Sequence, residues 1–269
     1  MTDAEARLTA PRPRLTFFFP AFNEEENVEA TVGRAIAEIG PMVDGSIEVL
    51  IVDDGSTDAT PRLADELAAT DSRVRVHHQP NRGYGGALKA GFANARGELI
   101  SFSDGDLQFD LREMRRLLDR LDDERGPVEV VIGYRIKRSD PPHRIVIAKT
   151  YNAIVSAAFG LRVRDVDCAM KVFRRELFDG LRLESDGPFL SAELLVKLRA
   201  RGARIAQVGV NHYPRAAGTN TGASPVKILR TVRDLLRLRL ALWRDRRGTV
   251  GTATPKTAPA ASSESGVEG

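Results

Sequence analysis

Cysteine is almost absent from this chain, with Cys168 the only one among 269 residues. A lone cysteine excludes a disulfide framework and a cysteine-ligated zinc site, and it is typical of a reducing compartment. Runs of about 20 apolar residues, the length that spans a bilayer, are missing as well, and residues 1–14 have no apolar signal core. We therefore expect a cytoplasmic chain, neither secreted nor membrane-integral, that is free to lie peripherally on the inner face of the cell membrane.

Two loops that bind phosphate in many α/β proteins are also missing. The sequence has no Walker A motif, and Pro20–Asn27, after the first predicted strand, has no GxGxxG fingerprint. Gly83–Leu88 is rich in glycine, but it lacks the third glycine of the fingerprint and follows a different strand. These absences exclude a dehydrogenase and disfavour a nucleotidyltransferase, which would open with a loop rich in glycine and lysine.

The composition is that of a soluble globular protein, with 42% apolar and 29% charged residues. Basic residues number 40 against 37 acidic ones, and only seven of the basic residues are lysines. Arginine forks match the geometry of phosphate oxygens, so the excess of arginine favours phosphate-bearing ligands. Because no nucleic-acid-binding module accompanies the arginines, we expect no nucleic-acid partner.

Short β-rich runs alternate with amphipathic helical segments. The predicted strands are 15–19, 47–52, 74–78, 99–102, 129–132 and 205–210, and the helices between them are 25–39, 61–69, 86–95 and 111–121. The first helix begins with a predicted capping box of Asn23 and Glu26. This alternation predicts one α/β domain with a mostly parallel, Rossmann-like sheet flanked by helices. The predicted segments are a disordered arm (1–14), the domain (15–224), a basic amphipathic helix (225–247) and a disordered tail (248–269).

Two acids follow the second predicted strand. Ligands of open α/β sheets bind beyond the carboxyl ends of the strands, which is where Asp53 and Asp54 lie in the sequence. Carboxylate oxygens only accept hydrogen bonds, so they suit the N–H edge of a base or the hydroxyls of a ribose. A turn and a helix cap account well for Asp58 but poorly for Asp53.

A second acidic pair follows the fourth predicted strand. Asp104 and Asp106 flank Gly105 directly after a buried run, which brings hard oxygen ligands to one point. Few protein ligands, several waters and phosphate oxygens together complete the coordination of Mg²⁺ or Mn²⁺. The position of this pair after a strand favours a metal site over a surface turn.

Taken in order, four motifs resemble those of the inverting nucleotide-sugar glycosyltransferases of family 2, which have the GT-A fold. The matching segments are P-x-x-N-E-E at Pro20–Glu25, V-D-D-G-S-T-D at Val52–Asp58, N-x-G-x-G-x-A at Asn81–Ala87 and D-x-D-L-Q at Asp104–Gln108. Within the family the likeness is greatest to the polyprenyl-phosphate and dolichyl-phosphate sugar synthases. It departs from their pattern at Ala169-Met170, where Gly-Phe is usual, and at Thr219-Asn220, where Ser-Lys is usual.

The resemblance implies roles for individual residues at a donor site. Nucleotide-sugar contacts are implied for Pro20, Asn23, Glu24, Glu25, Asp53, Asp54, Gly85, Lys89, Asp104 and Arg135. A metal ion, Mg²⁺ or Mn²⁺, is implied at Asp104, Asp106 and Gln108. Asp165 is implied in the sugar pocket, and Arg215 in a mobile loop that closes over the diphosphate. The predicted catalytic set consists of these two residues with Asp104, Asp106 and Glu193, the last as a candidate base.

The acceptor decides whether a general base is needed. The resemblance implies transfer from GDP-mannose or a UDP-hexose to a polyprenyl or dolichyl phosphate, with Arg135 and Arg144 binding the acceptor phosphate. Such a phosphate is already ionised and needs no base. An alternative acceptor, a hydroxyl of a glycan or small molecule, must lose a proton, for which Glu193 or Asp167 is the candidate base. Glu193 also suits a purely structural place near a helix N-terminus. An inactive nucleotide-sugar-binding membrane scaffold is the alternative of another class.

The segment 225–247 alternates leucines with arginines and carries Trp243 near its end. A basic amphipathic helix of this kind lies on anionic bilayers. It equally suits a helix that docks on its own domain, on a second copy in a homodimer, or on a separate membrane-anchoring partner. The sequence leaves these alternatives open.

Overall fold

The computed structural model of the chain describes residues 12–105, 108–123, 126–136, 142–214, 230–240 and 242, and only the backbone of residues 142–144. Its strands are β1 (Leu15–Ala21), β2 (Ile47–Asp53), β3 (Val74–His78), β4 (Leu99–Phe102), β5 (Val130–Arg135), β6 (Lys171–Arg174) and β7 (Ile205–Val210). Its α-helices are α1 (Val28–Arg34), α2 (Thr60–Thr70), α3 (Gly83–Asn94), α4 (Met114–Leu121), α5 (Pro142–Phe159) and α6 (Leu190–Ala200). A π-helical turn (Ala35–Ile39) and a 3₁₀ turn (Gly40–Val43) extend α1, and further 3₁₀ turns span Leu111–Glu113 and Arg175–Phe178.

The strands form a seven-stranded sheet in the order β3-β2-β1-β4-β6-β5-β7. Strand β1 pairs in parallel with β2 on one side and with β4 on the other. The order reverses at β1, and the loops that follow β1, β2 and β4 therefore meet at one edge, the usual ligand site of such sheets. The predicted α/β fold with a mostly parallel sheet is confirmed.

Strand β6 is the element that the sequence analysis missed. It runs antiparallel between β4 and β5. Its four residues, of which the first and last are charged, give too short an apolar pattern to indicate a strand. In the structure β6 joins the two parallel halves of the sheet.

The first helix also differs from the prediction. Helix α1 begins at Val28, its N-cap residue is Asn27, and no side chain caps it. The predicted capping box of Asn23 and Glu26 is therefore wrong, because the chain turns between Glu24 and Val28 before the helix starts.

Aromatic residues hold α3 against the sheet. The Phe18 ring of β1 packs on Phe92 of α3 and on Phe102 of β4, with centroids 5.1 and 5.5 Å apart. A Cβ at Gly91 would overlap the Phe18 ring, so glycine at this position lets the helix approach β1 closely. This contact fixes the helix whose N-terminus contacts the loops after β2 and β4, through Arg82 and Tyr84.

Residues 230–240 are helical, within the segment that was predicted as a basic amphipathic helix. Leu235, Leu238 and Leu242 belong to or pack against the hydrophobic core. The opposite side of this segment carries exposed apolar residues, which are Val232, Leu236 and Leu240. Over the part of the chain that the structure describes, no helix is long and apolar enough to cross a membrane.

Candidate active site

The loop after β1 is tied to the loop after β2. Asn23 has a left-handed backbone conformation (φ 55°), and its Oδ1 accepts the Thr57 N–H at 2.8 Å. The Asn23 N–H donates to Ser56 Oγ at 3.0 Å, and Glu25 Oε2 accepts the Ala59 N–H at 2.8 Å. Asn23 and Glu25, both predicted to contact the donor, thus also hold the two loops together.

Glu24 and Pro20 complete the predicted first donor loop. The Glu24 N–H donates to Thr60 Oγ1 at 2.9 Å, and Glu24 Oε2 accepts from Asn27 Nδ2 at 2.7 Å. Pro20 lies within β1, opposite Val52 of β2. The loop after β1 is therefore a fixed wall of the edge where the donor is predicted to bind.

Asp53 and Asp54 are both nearly buried at the end of β2. Asp54 Oδ1 accepts from Gln79 Nε2 at 2.6 Å and from the Arg82 N–H at 2.8 Å. Asp53 Oδ1 accepts the Ser56 N–H at 3.0 Å. These bonds satisfy the charge of each buried carboxylate and fix its orientation at the carboxyl edge of the sheet.

The second oxygen of Asp53 is bound to a histidine that the sequence analysis did not assign to the site. His78 Nδ1 lies 2.8 Å from Asp53 Oδ2, and His78 Nε2 lies 3.2 Å from Asp65 Oδ1. The hydrogen bond with Asp53 raises the pKa of His78, while burial acts in the opposite direction. No sequence motif marks His78; its position beside the end of β2 becomes evident only from the pairing of β2 with β3.

Asp104 and Gln108 mark the predicted metal site. Asp104 is partly exposed directly after β4, and its Oδ1 accepts the Tyr84 hydroxyl at 3.1 Å. Gln108 and Tyr213 bind one another twice, through the Tyr213 N–H to Gln108 O at 2.9 Å and Gln108 Nε2 to Tyr213 O at 3.1 Å. Asp106 lies outside the described residues.

The donor set at this point suits a hard divalent cation. A partly exposed carboxylate at Asp104, with an amide side chain four residues on, provides oxygen ligands of the kind that Mg²⁺ and Mn²⁺ prefer. Among the residues that the structure describes, no group of three His, Cys, Asp or Glu side chains is placed to hold a metal ion. The chemistry at Asp104 therefore fits a site completed by further ligands, such as phosphate oxygens of a substrate and water.

Gly85 and Lys89 lie on α3 and both contact Asp186. The Gly85 N–H donates to Asp186 O at 3.1 Å, and a Cβ at Gly85 would overlap the Asp186 backbone. The Lys89 ammonium group forms an ion pair with the Asp186 carboxylate. In this structure both residues secure the segment before α6 to the start of α3, and their predicted donor contacts stay predictions.

Arg135, at the end of β5, pairs with Asp165. Arg135 Nε donates to Asp165 Oδ2 at 2.6 Å and Nη2 to Oδ1 at 2.8 Å. The structure thus brings together a predicted phosphate ligand and a predicted residue of the sugar pocket. Arg144 lies on α5, where only its backbone is described, and Arg215 lies outside the described residues.

Glu193, the candidate general base, is buried near the start of α6 with both oxygens engaged. Its carboxylate accepts the N–H groups of Glu184 and Ser185 at 2.8 Å each and lies 2.7 Å from Lys197 Nζ. Burial acts to raise its pKa, but the hydrogen bonds from Lys197 and the two amides outweigh it, so the pKa lies below its ordinary value. The arrangement stabilises the ionised carboxylate and disfavours proton abstraction.

Lys171 is a second titratable residue that the sequence analysis did not assign to the site, and unlike His78 it is buried. Its side chain is fully buried, its ammonium group donates to Cys168 O, and it lies 5.2 Å from the centroid of the Phe102 ring. Burial lowers the pKa of Lys171, against the attraction of acids that include Asp165 and Asp104. The fully buried Cys168 thiol, with a pKa raised to about 12, behaves as the small apolar residue that the sequence indicates.

Known proteins resemble this chain over most of its length. The model of the family described as "Glycosyl transferase family 2" matches residues 16–182. Glycosyltransferase AglD of Haloferax volcanii is 34% identical over 218 residues, which are 78% of this chain and 35% of AglD. Polyprenol monophosphomannose synthase of Mycolicibacterium smegmatis is 31% identical, with 78% of this chain and 81% of that protein covered. Dodecaprenyl-phosphate galacturonate synthase of Rhizobium johnstonii is 30% identical, with 83% and 65% covered.

The chain thus spans about a third of AglD and 65% of the galacturonate synthase. Among solved structures, glucosyl-3-phosphoglycerate synthase from Mycobacterium tuberculosis in complex with UDP has a TM-score of 0.60 at 24% identity. That match covers 90% of this chain and 84% of the other, and it supports the GT-A fold. The same enzyme is also known in complex with Mn²⁺, UDP and glucosyl-3-phosphoglycerate. The four motifs, the sheet that brings their loops to one edge and the match over residues 16–182 agree, and the chain belongs to glycosyl transferase family 2.

Proposed function

We propose that the chain is a metal-dependent inverting glycosyltransferase that moves a sugar from a nucleotide diphosphate sugar to a polyprenyl phosphate. The observation that favours a phosphate over a hydroxyl as the acceptor is the burial and pairing of the Glu193 carboxylate. This carboxylate is buried, accepts two backbone N–H groups and is paired with Lys197, so it is a poor general base. An acceptor that is already ionised needs no base, and two relatives are named as polyprenyl-phosphate sugar synthases.

In this proposal the nucleotide lies against the loops after β1 and β2. Asp53 and Asp54 accept hydrogen bonds from the base and the ribose. The bonds of Asn23 and Glu25 to the second loop keep these carboxylates from shifting when the donor binds. The donor is GDP-mannose or a UDP-hexose, and the UDP complexes of a protein with the same fold agree with the second.

Asp104, Asp106 and Gln108 would hold Mg²⁺ or Mn²⁺ beside the donor diphosphate. The ion supplies positive charge that offsets the charge developing on the leaving diphosphate. Tyr84 orients the Asp104 carboxylate through its hydroxyl group. Gln108 is bound to Tyr213, two residues before Arg215, which is proposed to close over the same diphosphate.

The acceptor phosphate is proposed to bind Arg135 and Arg144, while Asp165 orients the Arg135 guanidinium and faces the sugar. The prenyl chain would extend into a bilayer on which the basic helix within 225–247 lies. Its outward side, Val232, Leu236 and Leu240, supplies apolar contacts, and Arg233 and Arg237 meet anionic headgroups. This arrangement agrees with a cytoplasmic enzyme at the inner face of the membrane. It also agrees with a homodimer or with a separate membrane-anchoring partner.

A panel of nucleotide sugars with Mn²⁺ or Mg²⁺ and a short polyprenyl phosphate tests the proposal. Formation of a prenyl-phosphate sugar that stops with chelator and fails for Asp104→Asn is the expected result. Turnover only with a glycan or small-molecule hydroxyl would establish the alternative acceptor, with Asp167 as the candidate base in place of Glu193. Donor binding without any transfer would support an inactive membrane scaffold. A protein that binds no donor would refute both transferase hypotheses, transfer to a polyprenyl phosphate and transfer to a hydroxyl.

A further inference from the structure

His78 bridges a predicted nucleotide-contacting carboxylate and a surface acid. It ends β3, the strand at one edge of the sheet, in register with Asp53 at the end of β2. Its Nδ1 lies 2.8 Å from Asp53 Oδ2, and its Nε2 lies 3.2 Å from Asp65 Oδ1 on α2. The other Asp53 oxygen accepts the Ser56 N–H at 3.0 Å. Both carboxylate oxygens of Asp53 are therefore engaged, one by the His78 ring and one by the Ser56 N–H.

Exposure increases along this chain of contacts. The side chain of Asp53 is 4% exposed, that of His78 42% and that of Asp65 68%. A carboxylate that is almost buried needs hydrogen-bond donors to stay ionised and to keep one orientation. The charged groups that face the His78 ring within the described part of the chain are Asp53 from β2 and Asp65 from α2.

We propose that His78 is a positioning residue for the donor nucleotide, which fixes the Asp53 carboxylate while Asp65 fixes the ring. The inference rests on the proposed function, because it takes Asp53 to contact the donor. His78 itself acts through Asp53 and need not touch the nucleotide. Residues that orient a ligating side chain in this way affect ligand affinity strongly.

The arrangement also gives donor binding a defined dependence on pH. An imidazolium has two N–H donors, one for each acid, whereas a neutral ring has one. The hydrogen bond with Asp53 raises the pKa of His78 above its ordinary value of 6.5, while burial opposes the rise. Both contacts are therefore complete below about pH 6.5, and one is lost as the pH rises through the raised pKa. Donor affinity should weaken over that interval.

The test is calorimetric titration of UDP and of GDP, each with Mn²⁺, into the full chain between pH 6 and 8.5. His78→Phe removes both ring nitrogens, and we expect affinity for the bound nucleotide to fall about 10-fold at pH 6. His78→Asn keeps an amide donor near the Nδ1 position but does not titrate, so it should restore most of the affinity without the pH dependence. His77→Phe is the matched control, one residue earlier on the same strand, and should behave as the wild-type protein.

Each of the following results would refute the proposed role of His78 or the proposed function. Equal affinity losses for His78→Phe and His77→Phe, or a pH profile of His78→Asn identical to that of the wild-type protein, would overturn the role of His78. A wild-type protein that binds neither nucleotide would refute the proposed function and this inference with it. If His78→Phe fails to fold by circular dichroism, Asp65→Asn decides, because the loss of the exposed acid should lower the pH at which affinity declines. An unchanged profile in Asp65→Asn would then refute the proposal.

Discussion

The guanidinium group of Arg135 donates two parallel hydrogen bonds, 2.6 and 2.8 Å long, to the carboxylate of Asp165. The two side chains are only 11% and 7% exposed. The pair joins the end of β5 to the segment before β6, and so links the parallel and antiparallel parts of the sheet at the candidate site. Separating the two side chains would break a two-point contact between nearly buried charges.

Arg135→Lys keeps the charge but loses the two-point geometry, because an ammonium group cannot match both carboxylate oxygens. We expect the free energy of unfolding to fall by about 1.5–3 kcal/mol, the usual contribution of one hydrogen bond between charged groups. Sugar transfer should fall at least about 100-fold, since small displacements of positioning groups have effects of that size. Urea denaturation and initial rates measure the two effects. Arg164→Lys, at an exposed arginine over the Tyr134 ring, is the control, and an equal loss there would argue against a specific role for Arg135.

Glu193→Gln separates a structural carboxylate from a general base. We expect turnover to stay within about threefold of wild type, whereas loss of a true base costs about 10²–10⁴-fold. The free energy of unfolding should fall by about 1–3 kcal/mol, because Gln offers one acceptor oxygen where Glu193 satisfies two backbone amides and Lys197. A rate loss of the larger size would restore Glu193 as the base.

The pH dependence of that stability has a defined sign. The pKa of Glu193 lies below its ordinary value of 4.5, since hydrogen bonds outweigh the effect of burial. Its contribution is therefore present above pH 4.5 and is lost as the pH falls through the lowered pKa. The difference in unfolding free energy between wild type and Glu193→Gln should accordingly shrink in acid. A difference that is constant down to acid pH would show that the charge of Glu193 is not what stabilises the fold.

Asp104→Asn should abolish metal-dependent transfer and leave the fold intact. Asp104 is partly exposed, so an amide is accommodated there, but the loss of its charge removes most of the attraction for a divalent ion. We expect a fall in turnover of at least about 100-fold, the scale of losing transition-state charge stabilisation. Tyr84→Phe removes only the hydroxyl group that donates to Asp104, and it should weaken Mn²⁺ affinity about 10-fold. Titration of initial rates with Mn²⁺ measures both, and normal activity of Asp104→Asn would refute the metal assignment.

The parallel part of the fold follows from local patterns in the sequence. Residues 74–78, 99–102 and 205–210 are strands with the predicted bounds, because each is a short run rich in apolar and β-branched residues. Strand β6 was missed because a short strand with charged ends has no such pattern. The start of α1 was misjudged because Asn23 bonds to Thr57 across the sheet edge, a partner that is 34 residues away.

Residues of the candidate site were predictable only where a sequence motif includes them. The acids at Asp53 and Asp104 follow strands that the sequence itself indicates. Their partners were not predictable, because His78 meets Asp53 only through the pairing of β2 with β3. Likewise the burial of Lys171 depends on β6 lying between β4 and β5. Long-range register, which no local pattern encodes, accounts for both omissions.

The helix at residues 230–240 offers a matched pair of substitutions for the proposed membrane contact. Leu236 is 55% exposed, whereas Leu238, two residues on, is 6% exposed and belongs to the core. Leu238→Ala should lower the free energy of unfolding by about 2–3 kcal/mol, as core truncations do, and leave vesicle affinity unchanged. Leu236→Ala combined with Leu240→Ala should change stability by no more than about 0.5 kcal/mol.

Vesicle flotation with anionic and neutral lipids then tests the outward side. Each exposed leucine that enters the interface contributes about 1–2 kcal/mol, so the double variant should bind anionic vesicles at least about 10-fold more weakly than wild type. Neutral vesicles should bind both proteins poorly, because arginines such as Arg233 and Arg237 then lack a counter-charge. Unchanged binding by the double variant would exclude this helix as the membrane contact. A wild-type dimer that dissociates in the double variant would instead assign the apolar side to a second copy of the chain.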